Sequence, residues 1–191
     1  AFRLSNLPSG SLVGINGWMF SKGSVDDLKM ALLTHNISIN HRCDLISKIW
    51  TDRPPLSNNE VTPHEVAYAG KSVSEKLSEI RAGMQEAGAN YYLITTLDDI
   101  GWSLNIRGTD VDYNPVAISY AIIGKADAHL FIHPNKLTKN TQQQLADNHI
   151  IEHHYDNIIR FLNQLPANET MMLDPASCSQ TIYEAINAKV V

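Results

Sequence analysis

The sequence LDDIGWSLNIRGTDVDYNPVAISY, which runs from Leu97 to Tyr120, contains more structural signals than any other stretch of this chain. Thr96 precedes it as a candidate N-cap, and Asp99 supplies an acid three residues later to complete a capping box. The apolar residues that repeat on one helical face are Leu97, Ile100 and Leu104. A short helix is therefore predicted, and Gly108 is expected to end it.

A polar loop and a strand are predicted after this helix. Arg107 is expected near the last helical carbonyls, where the negative end of the helix dipole favours a cation. The segment Thr109–Pro115 carries Asp110 and Asn114 ahead of its proline, which is typical of an ordered loop whose side chains bond to nearby backbone. The apolar run Ser119–Gly124 is typical of a buried strand.

The same stretch closely resembles the central domain of the three-domain, cytosolic-type Xaa-Pro aminopeptidases, the aminopeptidase P family. The family pattern runs roughly L-D-[DE]-I-A-W-L-x-N-L-R-G-x-D-V-x-x-N-P-V-x-x-S-Y. This chain matches it at Leu97, Asp98, Asp99, Ile100, Trp102, Asn105, Arg107, Gly108, Asp110, Val111, Asn114, Pro115, Val116, Ser119 and Tyr120. It departs from the pattern at Gly101, Ser103 and Ile106, and a glycine inside a helix costs about 1 kcal/mol relative to alanine.

Composition predicts a globular chain outside the nucleic-acid-binding and membrane classes. The chain has 191 residues, 43% of them hydrophobic, and a formal net charge of −5. It has no basic stripe and no apolar run of the roughly 18 residues that a membrane span needs. Its two cysteines, Cys43 and Cys178, lie far apart in sequence, which favours free thiols in a reducing compartment. A cytoplasmic location is therefore expected.

Residues 1–50 contain too few strands for a stable sheet of their own. Strands are predicted at Phe2–Leu7, Ser11–Ile15 and Ile37–Asn40, with a helix capped by Ser24 and Asp27 and a helical turn beginning at Asp44. Two or three strands rarely form an independent sheet. Segments 10–16 and 44–54 also resemble the closing part of the family's first domain. Residues 1–50 are therefore expected to be the carboxyl-terminal part of a truncated first creatinase-like domain.

A proline-rich connector is predicted at residues 51–71, and a second creatinase-like domain at 72–191. Ser72 and Glu75 form a capping box at the start of the clearest helix in the chain, which Gly88 is expected to end. From Tyr91 onward, apolar strand-like runs alternate with helical patterns. The fold class is therefore predicted to be α/β, and the resemblance specifies a creatinase amino-terminal-domain-like mixed sheet flanked by helices.

Two patterns suggest a metal site, and both have a structural alternative. The sequence His149-Ile150-Ile151-Glu152-His153 matches a zinc-peptidase motif, but that motif requires a helix and the local signals favour a strand. Asp99 and Asp110 have the spacing of two metal-binding aspartates in the family's catalytic domain. The further His and Glu ligands of that domain do not follow here, so no catalytic residue and no metal ligand is predicted in this segment.

Arg107, Asp110 and Asn114 are the candidate substrate-binding residues. An arginine can bind a carboxylate with two hydrogen bonds, and the substrates of the family are peptides. The alternative is an internal pair of Arg107 and Asp110, with Asn114 fixing a turn. The sequence leaves both interpretations open.

The resemblance implies that the parent protein is a metal-dependent aminopeptidase that removes an N-terminal residue preceding proline. It implies two divalent metal ions, usually manganese, in a catalytic domain absent from this segment, and a homodimer. The expected partners are that catalytic domain and peptides with proline at the second position. The expected role of this segment is to pack on the catalytic domain and shape substrate access. The alternative is a free-standing α/β module that binds a peptide or a protein without catalysis.

Overall fold

The computed structural model describes residues 7–191. The helices are α1 (Lys22–Leu33), α2 (Ile46–Ile49), α3 (Val66–Ala69), α4 (Val73–Glu86), α5 (Leu97–Ser103), α6 (Lys139–Asp147), α7 (Ile158–Gln164) and α8 (Gln180–Glu184), with 3-10 turns at Pro134–Lys136 and Tyr155–Asn157. The strands are β1 (Leu12–Gly14), β2 (Ser38–Asn40), β3 (Thr62–Pro63), β4 (Tyr91–Ile94), β5 (Ile106–Arg107), β6 (Ser119–Gly124), β7 (Ala128–Ile132), β8 (Ile150–His154), β9 (Thr170–Met172) and β10 (Lys189–Val190). The strand predicted at Phe2–Leu7 lies, up to residue 6, outside the described residues.

The described residues form two compact units. Unit 1 contains the residues up to Pro55 together with the later segment Asp174–Ala185. Unit 2 contains Leu56–Leu173 and Ile186–Val191. The domain limits drawn from the sequence, at residues 50 and 71, remain predictions.

Unit 1 is built from α1, α2 and α8 and a two-stranded parallel sheet. Strands β1 and β2 pair in a register that places Val13 opposite Ile39. Helix α1 begins one turn earlier than predicted, because the Ser21 hydroxyl, not that of Ser24, caps it by accepting the amide of Ser24 at 3.1 Å. The predicted cap at Ser24 was therefore wrong, although the helix itself is confirmed.

Large apolar side chains of unit 1 are exposed to solvent. Only a few, such as Val25 and Leu32 of α1, are buried. The exposed ones are Leu12, Trp18, Met19, Phe20, Met30, Leu33, Leu45, Ile46, Ile49 and Trp50. Single exposed apolar residues are ordinary, but unit 1 exposes ten of them among its described residues.

Unit 2 is organised around a six-stranded mixed sheet with the order β10-β9-β4-β6-β7-β8. Strands β4, β6 and β7 are antiparallel neighbours, whereas β8 is parallel to β7 and β9 is parallel to β4. Strand β7 is buried along its whole length, and β6 at all but one position. Burial on both faces explains why these strands are mostly apolar and do not alternate between apolar and polar residues. The predicted α/β fold with a mixed sheet is confirmed.

Helix α4 confirms the strongest local prediction. The Ser72 hydroxyl accepts the amide of Glu75 at 3.2 Å, and the Glu75 carboxylate accepts the amide of Ser72 at 2.8 Å. The helix buries Leu77 and Met84 in the core of unit 2. Gly88 follows it at a φ of +68°, a backbone conformation that glycine adopts without steric cost.

The connector has more structure than its sequence indicates. Within it, β3 pairs antiparallel with β5, which places Thr62 opposite Arg107. Helix α3 follows immediately and ends at Gly70, whose φ is +76°. Neither short element has the periodicity that identifies longer helices and strands, so both were missed.

Candidate functional site

Helix α5 forms where the sequence predicts it, but its ends differ from the prediction. The Thr96 hydroxyl donates to the Asp99 carboxylate instead of accepting a backbone amide, so the capping box does not form. The helix ends at Ser103, and Asn105 then adopts a φ of +48°. Asparagine enters this left-handed region more readily than most residues, so the helix ends without Gly108.

Gly108 has a different role from the one predicted for it. A Cβ atom at this position would lie 2.9 Å from the Val116 carbonyl oxygen and 3.0 Å from Ala117 Cβ. The chain leaving the Thr109–Pro115 loop therefore passes directly against this glycine. Its lack of a side chain allows the two arms of the loop to lie close together.

Arg107 lies at the end of α5, as predicted. Its Nη1 atom donates to the Gly101 carbonyl oxygen at 2.7 Å and to the Ile106 carbonyl oxygen at 2.8 Å. The cation therefore binds a carbonyl of the helix near its negative end. These contacts fix the guanidinium against the backbone of its own segment.

Asp110 is paired with a lysine rather than with Arg107. Its Oδ2 atom accepts the Ile118 amide at 2.6 Å and also accepts the Lys136 ammonium. The two charged side chains are buried, with exposures of 0% for Asp110 and 2% for Lys136. The internal pair of Arg107 and Asp110, which the sequence had left open as an alternative, does not form. Asp110 instead connects the loop to the segment after β7.

Asn114 closes the loop on its other side. Its side-chain amide donates to Asp98 Oδ1 at 3.3 Å, and its backbone amide donates to the Val111 carbonyl at 3.2 Å. The amide of Asp110 donates to the Val116 carbonyl at 3.2 Å. The interpretation of the segment as an ordered loop with side chains bonding nearby backbone is confirmed.

A buried lysine supports the helix that precedes the loop. The Lys76 ammonium donates to Asn105 Oδ1 at 2.6 Å and to the Trp102 carbonyl at 2.9 Å, and lies 4.6 Å from the centre of the Trp102 ring. Burial lowers the pKa of this lysine, and the positive charges of Arg107 and Lys71 lower it further. Local sequence patterns gave no sign of these Lys76 contacts, because the two partner residues are 26 and 29 residues away.

The three candidate substrate-binding residues share one segment but do not converge on one point through mutual bonds. Arg107 binds carbonyls of α5 and β5, Asp110 binds Lys136, and Asn114 binds Asp98. Each contact stabilises the path of the segment. What the three residues have in common is that their contacts hold the loop in position.

The zinc motif at His149 and His153 lies on a strand. His149 precedes β8 at a φ of +56°, and His153 lies within β8. Residues four apart on a strand are separated by about 13 Å, too far for both imidazoles to bind one ion. Within residues 7–191 no group of three or more His, Cys, Asp or Glu side chains is arranged to hold a metal ion. The residues described here therefore do not fit a metal centre.

His153 instead contacts a histidine on the neighbouring strand. Its Nε2 atom lies 3.0 Å from His129 Nδ1, and His129 Nε2 lies 3.3 Å from Asp127 Oδ2. Burial lowers the pKa of both histidines, and the positive charge of His129 adds to the effect at His153. The parallel pairing of β7 and β8 creates this contact, which local sequence patterns do not reveal.

Cys178 does not have the surroundings of a nucleophile. Cys178 is buried, and burial raises the pKa of its thiol to about 12. A thiol with such a pKa is almost entirely protonated at neutral pH and is therefore unreactive. Both cysteines are free.

The fold and the family sequence pattern define a class of protein. Residues 52–191 match the creatinase/prolidase N-terminal domain family. The chain belongs to this family, and its sequence is homologous to the Xaa-Pro aminopeptidases of the aminopeptidase P type.

Two relatives and one solved structure illustrate the similarity. The chain is 32% identical over 180 residues to aminopeptidase P2 of Arabidopsis thaliana, covering 92% of this chain and 25% of the relative. It is 32% identical over 194 residues to Xaa-Pro aminopeptidase 1 of Dictyostelium discoideum, covering 96% and 31%. The crystal structure of X-prolyl aminopeptidase from Caenorhabditis elegans, described as a cytosolic enzyme with a di-nuclear active site, superposes with a TM-score of 0.88 at 25% identity.

This chain spans only part of the length of these proteins. The superposition covers 98% of this chain and 32% of the C. elegans enzyme. The chain thus spans about a quarter to a third of the relatives that it matches. Among the described residues, no helix combines the length and the apolar character that crossing a lipid bilayer requires.

Proposed function

We propose that this chain is the non-catalytic amino-terminal and middle region of a metal-dependent Xaa-Pro aminopeptidase. The observation that carries the proposal is the alignment of nearly the whole chain with about a third of an X-prolyl aminopeptidase at a TM-score of 0.88. The parent enzyme removes an N-terminal residue that precedes proline. Its catalytic domain holds two divalent metal ions, manganese in our proposal, and this region supplies none of their ligands.

The proposed role of the region is to pack on the catalytic domain of the same protein and to limit access to the cleft. Proline lacks an amide N–H and restricts the backbone, so a peptide bond that precedes it needs a dedicated site. Walls that admit only a short, correctly placed peptide support that selectivity by orienting the substrate. We also propose a cytoplasmic location and a homodimeric parent.

Our proposed domain organisation is a truncated first domain at 1–50, a linker at 51–71 and a second domain at 72–191. The exposed apolar side chains of unit 1 support a first domain that continues in further sequence of the parent. A free-standing binding module would be expected to protect such surface with charge. The exposed apolar surface therefore favours the aminopeptidase region over the free-standing module.

Arg107, Asp110 and Asn114 remain our candidates for contact with the peptide substrate. Their described contacts support an indirect role for Asp110, which is buried against Lys136. Arg107 is only partly buried, so a peptide carboxylate could still reach its guanidinium. Substitution of Arg107 by lysine in the full-length enzyme should then raise KM more than it lowers kcat, because lysine cannot bind a carboxylate with two parallel bonds.

The experiment that tests the proposed function is hydrolysis of an Xaa-Pro peptide with added Mn²⁺. It compares this 191-residue chain with the full-length protein, and a peptide with alanine in place of proline is the substrate control. We expect cleavage of the proline peptide by the full-length protein alone, and its loss when a chelator is added. Metal-dependent cleavage by the 191 residues alone would overturn the proposal, as would inactivity of both proteins.

A further inference from the structure

The tip of the Thr109–Pro115 loop holds an exposed aromatic residue in a strained backbone conformation. Tyr113 has a φ of +63°, and its side chain is fully exposed. A left-handed conformation costs a bulky L-residue about 1–2 kcal/mol. Because the side chain is not buried, packing within the described residues does not offset this cost.

The loop that carries Tyr113 is held from both sides. On one arm, Asp110 binds the Ile118 amide and the buried Lys136, and the Asn59 side-chain amide donates to the Thr109 carbonyl at 2.9 Å. On the other arm, Asn114 binds Asp98 at 3.3 Å. The tip is therefore presented in a defined position, and the tyrosine has little backbone entropy left to lose on binding.

An exposed aromatic side chain on a rigid loop is typical of a residue that dominates the binding energy of a protein interface. A rigid aromatic side chain buries a large area at a small entropic cost, and tyrosine is enriched among the residues that dominate binding energy. Val111, 42% exposed on the same loop, adds apolar area beside it. Backbone strain of this kind persists at binding sites, where a favourable contact made elsewhere compensates for it.

We propose that Tyr113 inserts into an apolar pocket on the part of the parent protein that lies outside this chain. The inference rests on the proposed function and adds the position of the contact. The relatives are three to four times as long as the segment they share with this chain, so most of their surface belongs to the remainder. Exposed Asp112 lies next to Tyr113, so the pocket should have a basic side chain at its rim.

The test is thiol labelling, which requires no enzymatic activity. Tyr113→Cys is introduced into the 191-residue chain and into the full-length protein, with Cys43→Ser in both to remove the more exposed native thiol. The native Cys178 is 0% exposed, so the folded protein shields it from the reagent, and burial also raises the pKa of its thiol to about 12. Tyr68→Cys is the matched control, since Tyr68 is also an exposed tyrosine of unit 2.

We expect the thiol introduced by Tyr113→Cys to react with maleimide roughly tenfold more slowly in the full-length protein, because reactivity follows exposure. The thiol introduced by Tyr68→Cys should react at the same rate in both proteins. Equal rates at position 113 would overturn the proposal. If position 113 is protected only when Xaa-Pro peptide is present at saturation, Tyr113 contacts the substrate and the proposal is wrong. If the protection rises with protein concentration, Tyr113 contacts a second copy of the protein and the proposal is again wrong.

A second variant separates docking from folding. Tyr113→Asn relieves the backbone strain and removes the aromatic ring, since asparagine tolerates a positive φ. It should raise the melting temperature of the 191-residue chain and lower that of the full-length protein. A full-length protein that shields position 113 but cleaves no Xaa-Pro peptide would refute the proposed activity and leave the docking contact intact.

Discussion

Lys136 and Asp110 form an ion pair in which neither side chain is more than 2% exposed. The pair joins the segment after β7 to the loop that follows β5. Asp110 Oδ1 is buried and has no hydrogen-bond partner among the described residues, so the Lys136 ammonium and the Ile118 amide, both on Oδ2, are the groups that compensate for burying the carboxylate. The position of the loop therefore depends on both charges being present.

Removing one partner of this pair should be strongly destabilising. In Asp110→Ala the Lys136 ammonium stays buried without its counter-charge, and such a loss costs about 3–5 kcal/mol of unfolding free energy. Urea denaturation of the 191-residue chain measures the effect. Asp112→Ala, which removes an exposed carboxylate two residues away, is the control and should change stability by less than about 0.5 kcal/mol. Similar effects in the two variants would show that the pair is not needed.

Two glycine-to-alanine substitutions should change the stability of the protein in opposite directions. In Gly108→Ala the new methyl group would lie 2.9 Å from the Val116 carbonyl oxygen, and moving backbone to make room costs about 1–3 kcal/mol. In Gly83→Ala, inside α4, the methyl group meets no atom within 4 Å. Alanine is there a better helix former by roughly 1 kcal/mol, so this variant should be more stable than the natural chain. Thermal unfolding of both variants checks the two signs, and destabilisation by Gly83→Ala would contradict the described helix.

The contact between His129 and His153 should make stability depend on pH. Burial lowers the pKa of both side chains in the folded state, so below their unfolded pKa of about 6.5 the unfolded chain binds more protons than the folded one. The contribution of this pair is fully present above that pH and is lost as the pH falls through it.

Urea denaturation at pH 7.5 and pH 5.5 measures this pH dependence, with His129→Phe as the test variant. Phenylalanine suits the site, since the His129 ring lies 4.7 Å from the ring of Phe161. The variant should lose less stability on acidification than the natural chain. An undiminished loss in His129→Phe would rule out this pair as its source.

Two lysines near the start of α4 should differ in their importance for stability. Lys76→Ala leaves Asn105 Oδ1 and the Trp102 carbonyl without the buried donor, at a cost of about 1–3 kcal/mol for such unsatisfied groups. Lys71, which forms an exposed ion pair with Glu79, should contribute less than about 1 kcal/mol. Chemical denaturation of the two alanine variants compares them directly, and equal losses would be inconsistent with a supporting role for Lys76.

Features that depend on residues close together in the sequence were predictable, and features that depend on distant residues were not. The capping box of Ser72 and Glu75 spans three residues, so it was predictable and is confirmed. The end of α5 was assigned to Gly108 because glycine commonly ends helices, whereas this glycine is required by the close approach of Val116 and Ala117. A packing requirement of that kind has no local signature.

In the candidate site, too, contacts between residues distant in sequence were not predictable. The segment and its ordered loop were identified, yet the partner of Asp110 is 26 residues away, so the sequence offered nearby Arg107 instead. The contact of His129 with His153 depends on strands β7 and β8 being neighbours. The sequence analysis did not single out Tyr113, although an aromatic residue within a polar turn segment is an unusual choice for a loop.

The discontinuity of unit 1 has a consequence for synthesis on the ribosome. Residues 7–55 are translated before the rest of this chain, but α8, whose first residue Gln180 donates its amide to the Phe20 carbonyl just before α1, is translated only after β9. At about 5–20 residues per second, the nascent unit waits several seconds or longer for this helix. During that interval its apolar side chains would be open to chaperones. A circular permutant that joins Asp174–Ala185 to the early segment would shorten the wait.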